Sequence, residues 1–269
     1  MSNPLNANEI DQIKHNYQFA VCTLVTDLSE YQGMLESFAS AGFSEENTQF
    51  IYADNSENNK LDAYQAIRKF LTHSDANYII LCHQDILLNF DDKEKLESVL
   101  SELDQIDPDW SLCGNAGYID FKHYAMRISD PHGNNINVGN FPAQVKSLDE
   151  NFIIVKNDSA LSISKDLSGF HLYGTDMCII AEILGLRSYV IDFHLLHNSG
   201  GNINKSFEVS KKELLNKYAK ALSPKYIRST CTKMIITHSQ LINSMVNLSI
   251  FYSFRKRIES LKAKLNLSR

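Results

Sequence analysis

From residue 18 onward the chain switches repeatedly between two hydrophobic periods. Gln18–Val25 (QFAVCTLV) is a short apolar run of strand formers, and Leu28–Ala41 then reads as a helix that stops at Gly42, where a left-handed cap is expected. Thr48–Ala53 (TQFIYA) predicts a second strand with Asp54-Asn55-Ser56 as its exit turn. Leu61–Leu71 sets Leu61, Tyr64, Ile67, Phe70 and Leu71 at helical spacing. Asn77–Cys82 (NYIILC) predicts a third strand running into His83-Gln84-Asp85, and Asp92–Ile106 a charged amphipathic helix closed by Asp107-Pro108. Strand, helix, strand, helix, strand at this spacing points to βαβ units and a parallel sheet.

The second half is less regular. Ser111–Tyr118 and Asn151–Lys156 (NFIIVK) read as strands, and between them Asp130–Pro142 (DPHGNNINVGNFP) reads as a long binding loop or lid. Ser168–Gly185 becomes helical near Tyr173 or Thr175, Arg187–Phe193 (RSYVIDF) is the last strand, and His194–Gly201 (HLLHNSGG) follows it. Beyond Lys205 the chain reads as entirely helical, with a break at Ser223-Pro224. In open α/β sheets ligands bind beyond the carboxyl ends of the strands, and both Asp54 and Asp85 fall at such ends.

Composition adds exclusions. With 43% hydrophobic and 22% charged residues over 269 positions, the chain is neither disordered nor a fibre, and its length suits one large α/β domain with an appendage. Cys22, Cys82, Cys113, Cys178 and Cys231 form no C-x-x-C pair, which argues against a zinc knuckle or redox motif and fits a reducing cytoplasmic compartment. Met1 to Gln18 is polar and mixed in charge, so no secretory signal is expected.

Charge is divided unevenly. Residues 1–204 carry 12 Lys and Arg against 29 Asp and Glu, while residues 205–269 carry 14 against 3. This predicts an acidic body, 1–204, and a basic helical extension, 205–269, suited to an anionic surface. Met234–Phe254 lacks charged residues but is too rich in Ser, Asn and Thr to span a bilayer, and Arg255-Lys256-Arg257 follows it. Two readings stand for it: an interfacial helix lying peripherally on the inner face of the membrane, or a helix packed on the body or on a sister subunit of a homo-oligomer. The acidic body argues against nucleic acid.

Three segments, TQFIYADNS, IILCHQD and GFHLYGTDMCIIAEILGLRSYVIDFHLLHNSGG, stand in an order that resembles the GT-A fold glycosyltransferases, specifically the family-2-like group that uses nucleotide-sugar donors. In that group a second strand ends in Asp and a third in Asp-x-Asp, and a bacterial subgroup carries His-Gln-Asp instead. A later helix carries Asp-Leu-Cys and a glycine before the next strand, which leads to a histidine. Asp54, His83-Gln84-Asp85, Asp176-Met177-Cys178, Gly185 and His197 match these positions. The resemblance covers roughly residues 18–205 and implies a Rossmann-like, mostly parallel central sheet with flanking helices, followed by the helical appendage.

Carried over by position, the resemblance implies a nucleotide site at Thr23, Val25, Asp54 and Asp85, and a divalent cation, Mn²⁺ or Mg²⁺, held by Asp85 and His197. The alternative for Asp85 is a turn or helix cap, for Asp54 an Asx-turn, and for His197 a satisfied histidine after a strand. The implied activity is transfer of a sugar, with inversion, from a nucleotide-diphosphate donor to a hydroxyl of a surface polysaccharide, lipopolysaccharide or lipid-linked acceptor. The acidic pair usual two residues before Asp176 is replaced by Tyr173 and Gly174, which leaves Asp176 as the candidate catalytic base, with His171, Asp149 and Glu150 behind it. That departure keeps open a non-catalytic sugar-nucleotide or glycan-binding relative. A nucleotidyltransferase is disfavoured, since TDLSEYQG after the first strand is no glycine-rich phosphate loop.

Overall fold

In a computed structural model of the chain, which describes residues 14–201 and 205–248, the N-terminal part alternates strands and helices as the hydrophobic pattern predicts. Its elements are β1 (Tyr17–Val25), α1 (Leu28–Ser40), β2 (Thr48–Asp54), α2 (Ala63–His73), β3 (Ala76–Cys82), β4 (Ile86–Leu87) and α3 (Lys93–Ile106). Three aspartates start the three helices. Asp27 accepts the N–H groups of Ser29 and Glu30, Asp62 forms a reciprocal cap with Gln65, and Asp92 accepts from Lys95. The predicted stop of α1 is present, with Gly42 at φ 90°.

The chain continues through β5 (Trp110–Gly114), β6 (Ala116–Tyr118), β7 (Tyr124–Asp130), β8 (Gly133–Val138), β9 (Ala143–Val145), β10 (Ser147–Leu148) and β11 (Phe152–Lys156). It then forms α4 (Tyr173–Ile183), β12 (Arg187–Val190), β13 (Leu195–His197) and α5 (Lys205–Ala221). Among the described residues, a 7-stranded sheet runs β2-β1-β3-β11-β5-β12-β9 and a second, 6-stranded sheet contains the path β10-β6-β7-β13-β4 with β8 beside β7. In the larger sheet β2, β1, β3, β5 and β12 run the same way, while β11 and β9 oppose them. The fold is thus mixed α/β, a multi-strand sheet with flanking helices. β1 lies between β2 and β3 and is buried on both faces, with Phe19, Ala20, Val21, Cys22 and Val25 at most 2% exposed.

Three expectations need correction. The segment 130–142 is no lid: most of it is the hairpin β7–β8, whose turn is held by the Asp130 carboxylate accepting from the N–H groups of His132 and Gly133. β8 is an edge strand with only Ile136 and Val138 among its apolar positions, so its polar sequence hid it. The predicted strand 111–118 is broken at the buried Asn115, which sends β5 and β6 into different sheets.

The third correction concerns the tail. The chain divides into two compact units after Lys211, within α5. In the second, α5 ends before Pro224 and is followed by a hairpin, β14 (Lys225–Arg228) and β15 (Lys233–Ile236), and then by α6 (Gln240–Val246). Tyr226, Ile227, Ile235 and Ile236 favour extended chain, and Ser229 Oγ accepts from Cys231 and Thr232 N–H at the turn, so a hairpin stands where helix was expected. Met234–Phe254 is therefore not one continuous helix, and Arg255-Lys256-Arg257 lies outside the described residues, as does most of the segment read for a signal. Among the described residues no helix is long and apolar enough to cross a membrane.

Candidate functional site

Strand pairing builds the centre of the site. Asp85 follows β3 and immediately precedes β4, and β4 pairs antiparallel with β13 so that His197 stands opposite Ile86. Asn198 N–H donates to the Asp85 carbonyl at 3.1 Å, which locks the two strand ends together. His197 Nε2 consequently lies 3.5 Å from Asp85 Oδ1, and ligand atoms of His83, Asp85 and His197 all fall within 4.8 Å of one another. The two imidazoles and one carboxylate are a donor set that suits a divalent cation. The side chains of Asp85 and His197 are 13% and 9% exposed, half-enclosed yet reachable.

The electrostatics follow from that enclosure. Burial pushes the Asp85 carboxyl up, but the hydrogen bond and charge of His197, with Ser199 and His83, outweigh it and hold the group at about 2. Burial and then the neighbouring His197 lower the pKa of His83, against the pull of Asp85 and Asp149. His83 Nε2 lies 2.9 Å from Tyr173 Oη, and that hydroxyl donates to the Glu150 carbonyl at 2.8 Å. The Glu150 carboxylate accepts the Gly174 N–H at the start of α4 at 3.3 Å, and burial with Asp149 beside it raises its pKa to about 8.

A cavity of about 270 Å³ opens beside this cluster, between α2 and the carboxyl ends of β1 and β3. Its walls are Ala63, Ala66, Ile67 and Phe70 from α2 and Cys22, Leu24 and Thr26 from the end of β1. His83, Gln84, Asp85, Phe170 and Tyr173 line it as well, so an apolar chamber ends at the titratable cluster. Gln84 frames one side: its carbonyl accepts from the N–H groups of Thr26 (2.7 Å) and Asp27 (3.0 Å), and its amide donates to Glu30 (2.7 Å).

The other residues singled out from the sequence are placed as follows. Thr23 and Val25 are wholly buried, and the Thr23 hydroxyl points at Met34 Sδ of α1 (3.6 Å), so neither lines the cavity. The alternation of a strand decides this: their neighbours Cys22, Leu24 and Thr26 face the opening instead. Asp54 pairs in register with Val25 at the same carboxyl rim, two strand spacings or about 10 Å from β3. It is exposed and accepts from Ser56 N–H (2.9 Å) and Oγ (2.6 Å), the Asx-turn geometry, and these bonds lower its pKa. The three residues Asp54, Asp85 and His197 therefore share one rim, with Asp85 and His197 in direct contact and Asp54 outside the cavity wall.

Asp176, the candidate catalytic base, lies inside the fold. It is 0% exposed, and its two oxygens accept from Ser164 N–H (2.9 Å) and Ser164 Oγ (2.7 Å), tying α4 to the preceding loop. Its position near a helix start drew attention, but the side chain turns inward. Trp110 is also buried, stacked on Tyr78 at 6.0 Å and donating to Asp104 at 2.8 Å. Sequence reasoning gave no role to Tyr173 beyond its being a departure, nor any to Gln84. The signal for Tyr173 was its place beside the helix start that should carry an acid.

Comparison with known proteins gives the following. No protein-family model matches the chain. A Fuscovulum blasticum protein described as "ATP synthase subunits region ORF 6" is 36% identical over 214 residues, which is 77% of this chain and 86% of that one. Among solved structures, residues 1–349 of TarS from S. aureus in complex with UDP-GlcNAc align at 10% identity and TM-score 0.49, over 70% of this chain and 60% of that one. The mannosyltransferase PcManGT from Pyrobaculum calidifontis, in complex with GDP-Man and Mn²⁺, aligns at 10% identity and TM-score 0.48, over 81% of this chain and 68% of that one.

Proposed function

The chain belongs to the family of the Fuscovulum blasticum ORF 6 protein, and for it we propose a GT-A, family-2-like glycosyltransferase that moves a sugar from a nucleotide-diphosphate donor to a glycan or lipid-linked hydroxyl. The observation that carries this reading is the meeting of His83, Asp85 and His197 at the carboxyl rim of the sheet, beside a cavity that ends at their cluster. Such a rim is where open α/β sheets bind nucleotides. The apolar end between α2 and β1 suits a base and ribose, with Asp54 on the rim as a polar partner, and the polar end suits a diphosphate.

His83, Asp85 and His197 would hold the cation, Mn²⁺ or Mg²⁺, which when bound stabilises the charge of the departing diphosphate. Thr26 and Gln84 shape the entrance, and the Gln84 bonds to Thr26 and Asp27 hold β1 against the Asp85 turn. An inverting transfer also needs a group to take the proton of the acceptor hydroxyl. For that we assign Glu150 in place of Asp176. A Cβ at Gly174 would come to 2.6 Å from the Leu148 carbonyl, so no acid fits at that position. The same segment instead brings the Glu150 carboxyl to the Gly174 N–H, and with its pKa raised to about 8 the group gains the basicity that proton abstraction needs, acting once it ionises as pH approaches that value. Glu150→Gln is expected to lower kcat by about 100-fold or more with little change in donor KM.

The test is a panel of nucleotide-diphosphate sugars offered to the full chain with Mn²⁺, following release of nucleoside diphosphate. Asp85→Ala is expected to abolish turnover while the circular dichroism stays unchanged. Full activity of that variant, with or without chelator, refutes the metal assignment. The inward turn of Asp176 favours one second reading, a sugar-nucleotide-binding relative without catalysis, and tight donor binding with no turnover of any sugar would decide for it.

A further inference from the structure

Two of the positions at which this chain departs from the pattern it resembles are in contact with each other. His83 stands where the first acid of Asp-x-Asp is expected, Tyr173 stands where an acid is expected before Asp176, and His83 Nε2 lies 2.9 Å from Tyr173 Oη. A phenol carries a single proton. Tyr173 directs it at the Glu150 carbonyl, 2.8 Å away, so toward the imidazole Oη can only accept. With the proton so placed, the hydrogen of His83 sits on Nε2 and the ring lone pair on Nδ1.

Nothing in this network is loose. The Tyr173 side chain is buried and packed edge-on against Tyr64 at 6.5 Å and 87°, and the His83 backbone N–H donates to the Asn151 carbonyl at 3.0 Å. Across the cluster, His197 Nε2 lies 3.0 Å from Ser199 Oγ, and the two histidine rings stand 5.6 Å apart. We propose that Tyr173 is a positioning residue that holds His83 in the Nε2–H tautomer, so that Nδ1 joins Asp85 and His197 as a third ligand. The resulting two-histidine, one-carboxylate site takes Mn²⁺ or another transition-metal ion in preference to Mg²⁺. Imidazole nitrogens suit transition metals, whereas Mg²⁺ demands oxygen ligands in octahedral geometry. Replacing one acid of Asp-x-Asp by histidine thus changes which ion the site selects, and the tyrosine makes that replacement competent. The inference rests on the metal-site reading given above.

Its test uses metal ions alone, without donor. Calorimetric titration of the full chain is expected to show Mn²⁺ bound at least about tenfold more tightly than Mg²⁺. Tyr173→Phe keeps the ring and removes the hydroxyl, and is expected to weaken Mn²⁺ binding by about 10- to 100-fold, as loss of a group orienting a metal ligand does. His83→Asp should shrink the preference for Mn²⁺ over Mg²⁺. Unchanged Mn²⁺ affinity in Tyr173→Phe, or Mg²⁺ bound as tightly as Mn²⁺ by the unaltered chain, overturns the proposal. Should Tyr173→Phe fail to fold, long-range ¹H–¹⁵N spectra of the unaltered protein give the tautomer directly: a protonated Nε2 supports the proposal and a protonated Nδ1 overturns it. Failure of Mn²⁺ binding with donor turnover intact sinks this inference and spares the transferase reading; Mn²⁺ selectivity with no sugar turned over does the reverse.

Discussion

Glu150 shows how much one side chain's surroundings can say. Burial raises its pKa to about 8, Asp149 adds to the rise, and the backbone donors at the start of α4 offset it only in part. A carboxyl with a folded pKa above its ordinary 4.5 keeps its proton in the folded state over a window in which the unfolded chain has lost it. Its stabilising share is complete below pH 4.5 and is lost as pH rises through about 8. Glu150→Gln, which cannot ionise, should flatten that decline, so the Tm of the unaltered protein falls more between pH 6 and 9 than that of the variant, by thermal scans in matched buffers. An equal fall in both would mean that Glu150 is ionised throughout. At this scale the sequence was only partly legible. Asp85 could be picked out by its place at the end of a buried strand, and His197 only through the family resemblance. Thr23 and Val25 could not be told from Cys22, Leu24 and Thr26, because β1 is apolar on both faces and its alternation carries no sign of which face opens.

Elements were legible where a single rule governs them. The helices α1, α2 and α3 follow the spacing of their apolar residues, and β1, β2 and β3 are apolar runs of the expected length. What escaped was whatever depended on partners distant in the chain: the polar edge strand β8, the hairpin β14–β15, and the pairing of β4 with β13 that brings His197 to Asp85. The inward turn of Asp176 belongs to the same class, since its partner Ser164 lies in a loop with no periodic signature. This tether carries a prediction of its own. Asp176→Ala would leave the buried Ser164 N–H and hydroxyl without their acceptor, a loss of about 3 kcal/mol for a charged hydrogen-bonded pair. Urea denaturation should register that loss, while the folded fraction of the variant keeps its kcat. A collapse of kcat at unchanged stability would return Asp176 to the chemistry.

At the scale of the whole molecule the governing fact is charge, -17 on residues 1–204 against +11 on residues 205–269. In the second unit the hairpin presents Tyr226, Ile227 and Ile236 at 77%, 42% and 44% exposure, with Lys225 and Arg228 flanking the first two, Lys225 paired across the hairpin with Ile236, and Lys233 paired with Arg228. Apolar side chains interleaved with cations fit a surface that is apolar beneath and anionic above, the boundary layer of a membrane carrying anionic lipid. Peripheral binding to a membrane that carries anionic lipid is therefore the expected outcome to test. Each basic residue near such a surface contributes about 1 kcal/mol, so reversing Lys225, Arg228 and Lys233 to Glu should weaken binding to vesicles containing anionic phospholipid by at least about 100-fold. Vesicles of zwitterionic lipid alone should bind poorly, and raised salt should release the unaltered protein, because the Debye length shortens. Turnover with a water-soluble acceptor should be unchanged in the triple variant, since none of the three residues belongs to the site. Sedimentation indifferent to both lipid charge and salt, together with a mass in solution that rises with protein concentration, would instead assign this face to a second copy of the chain.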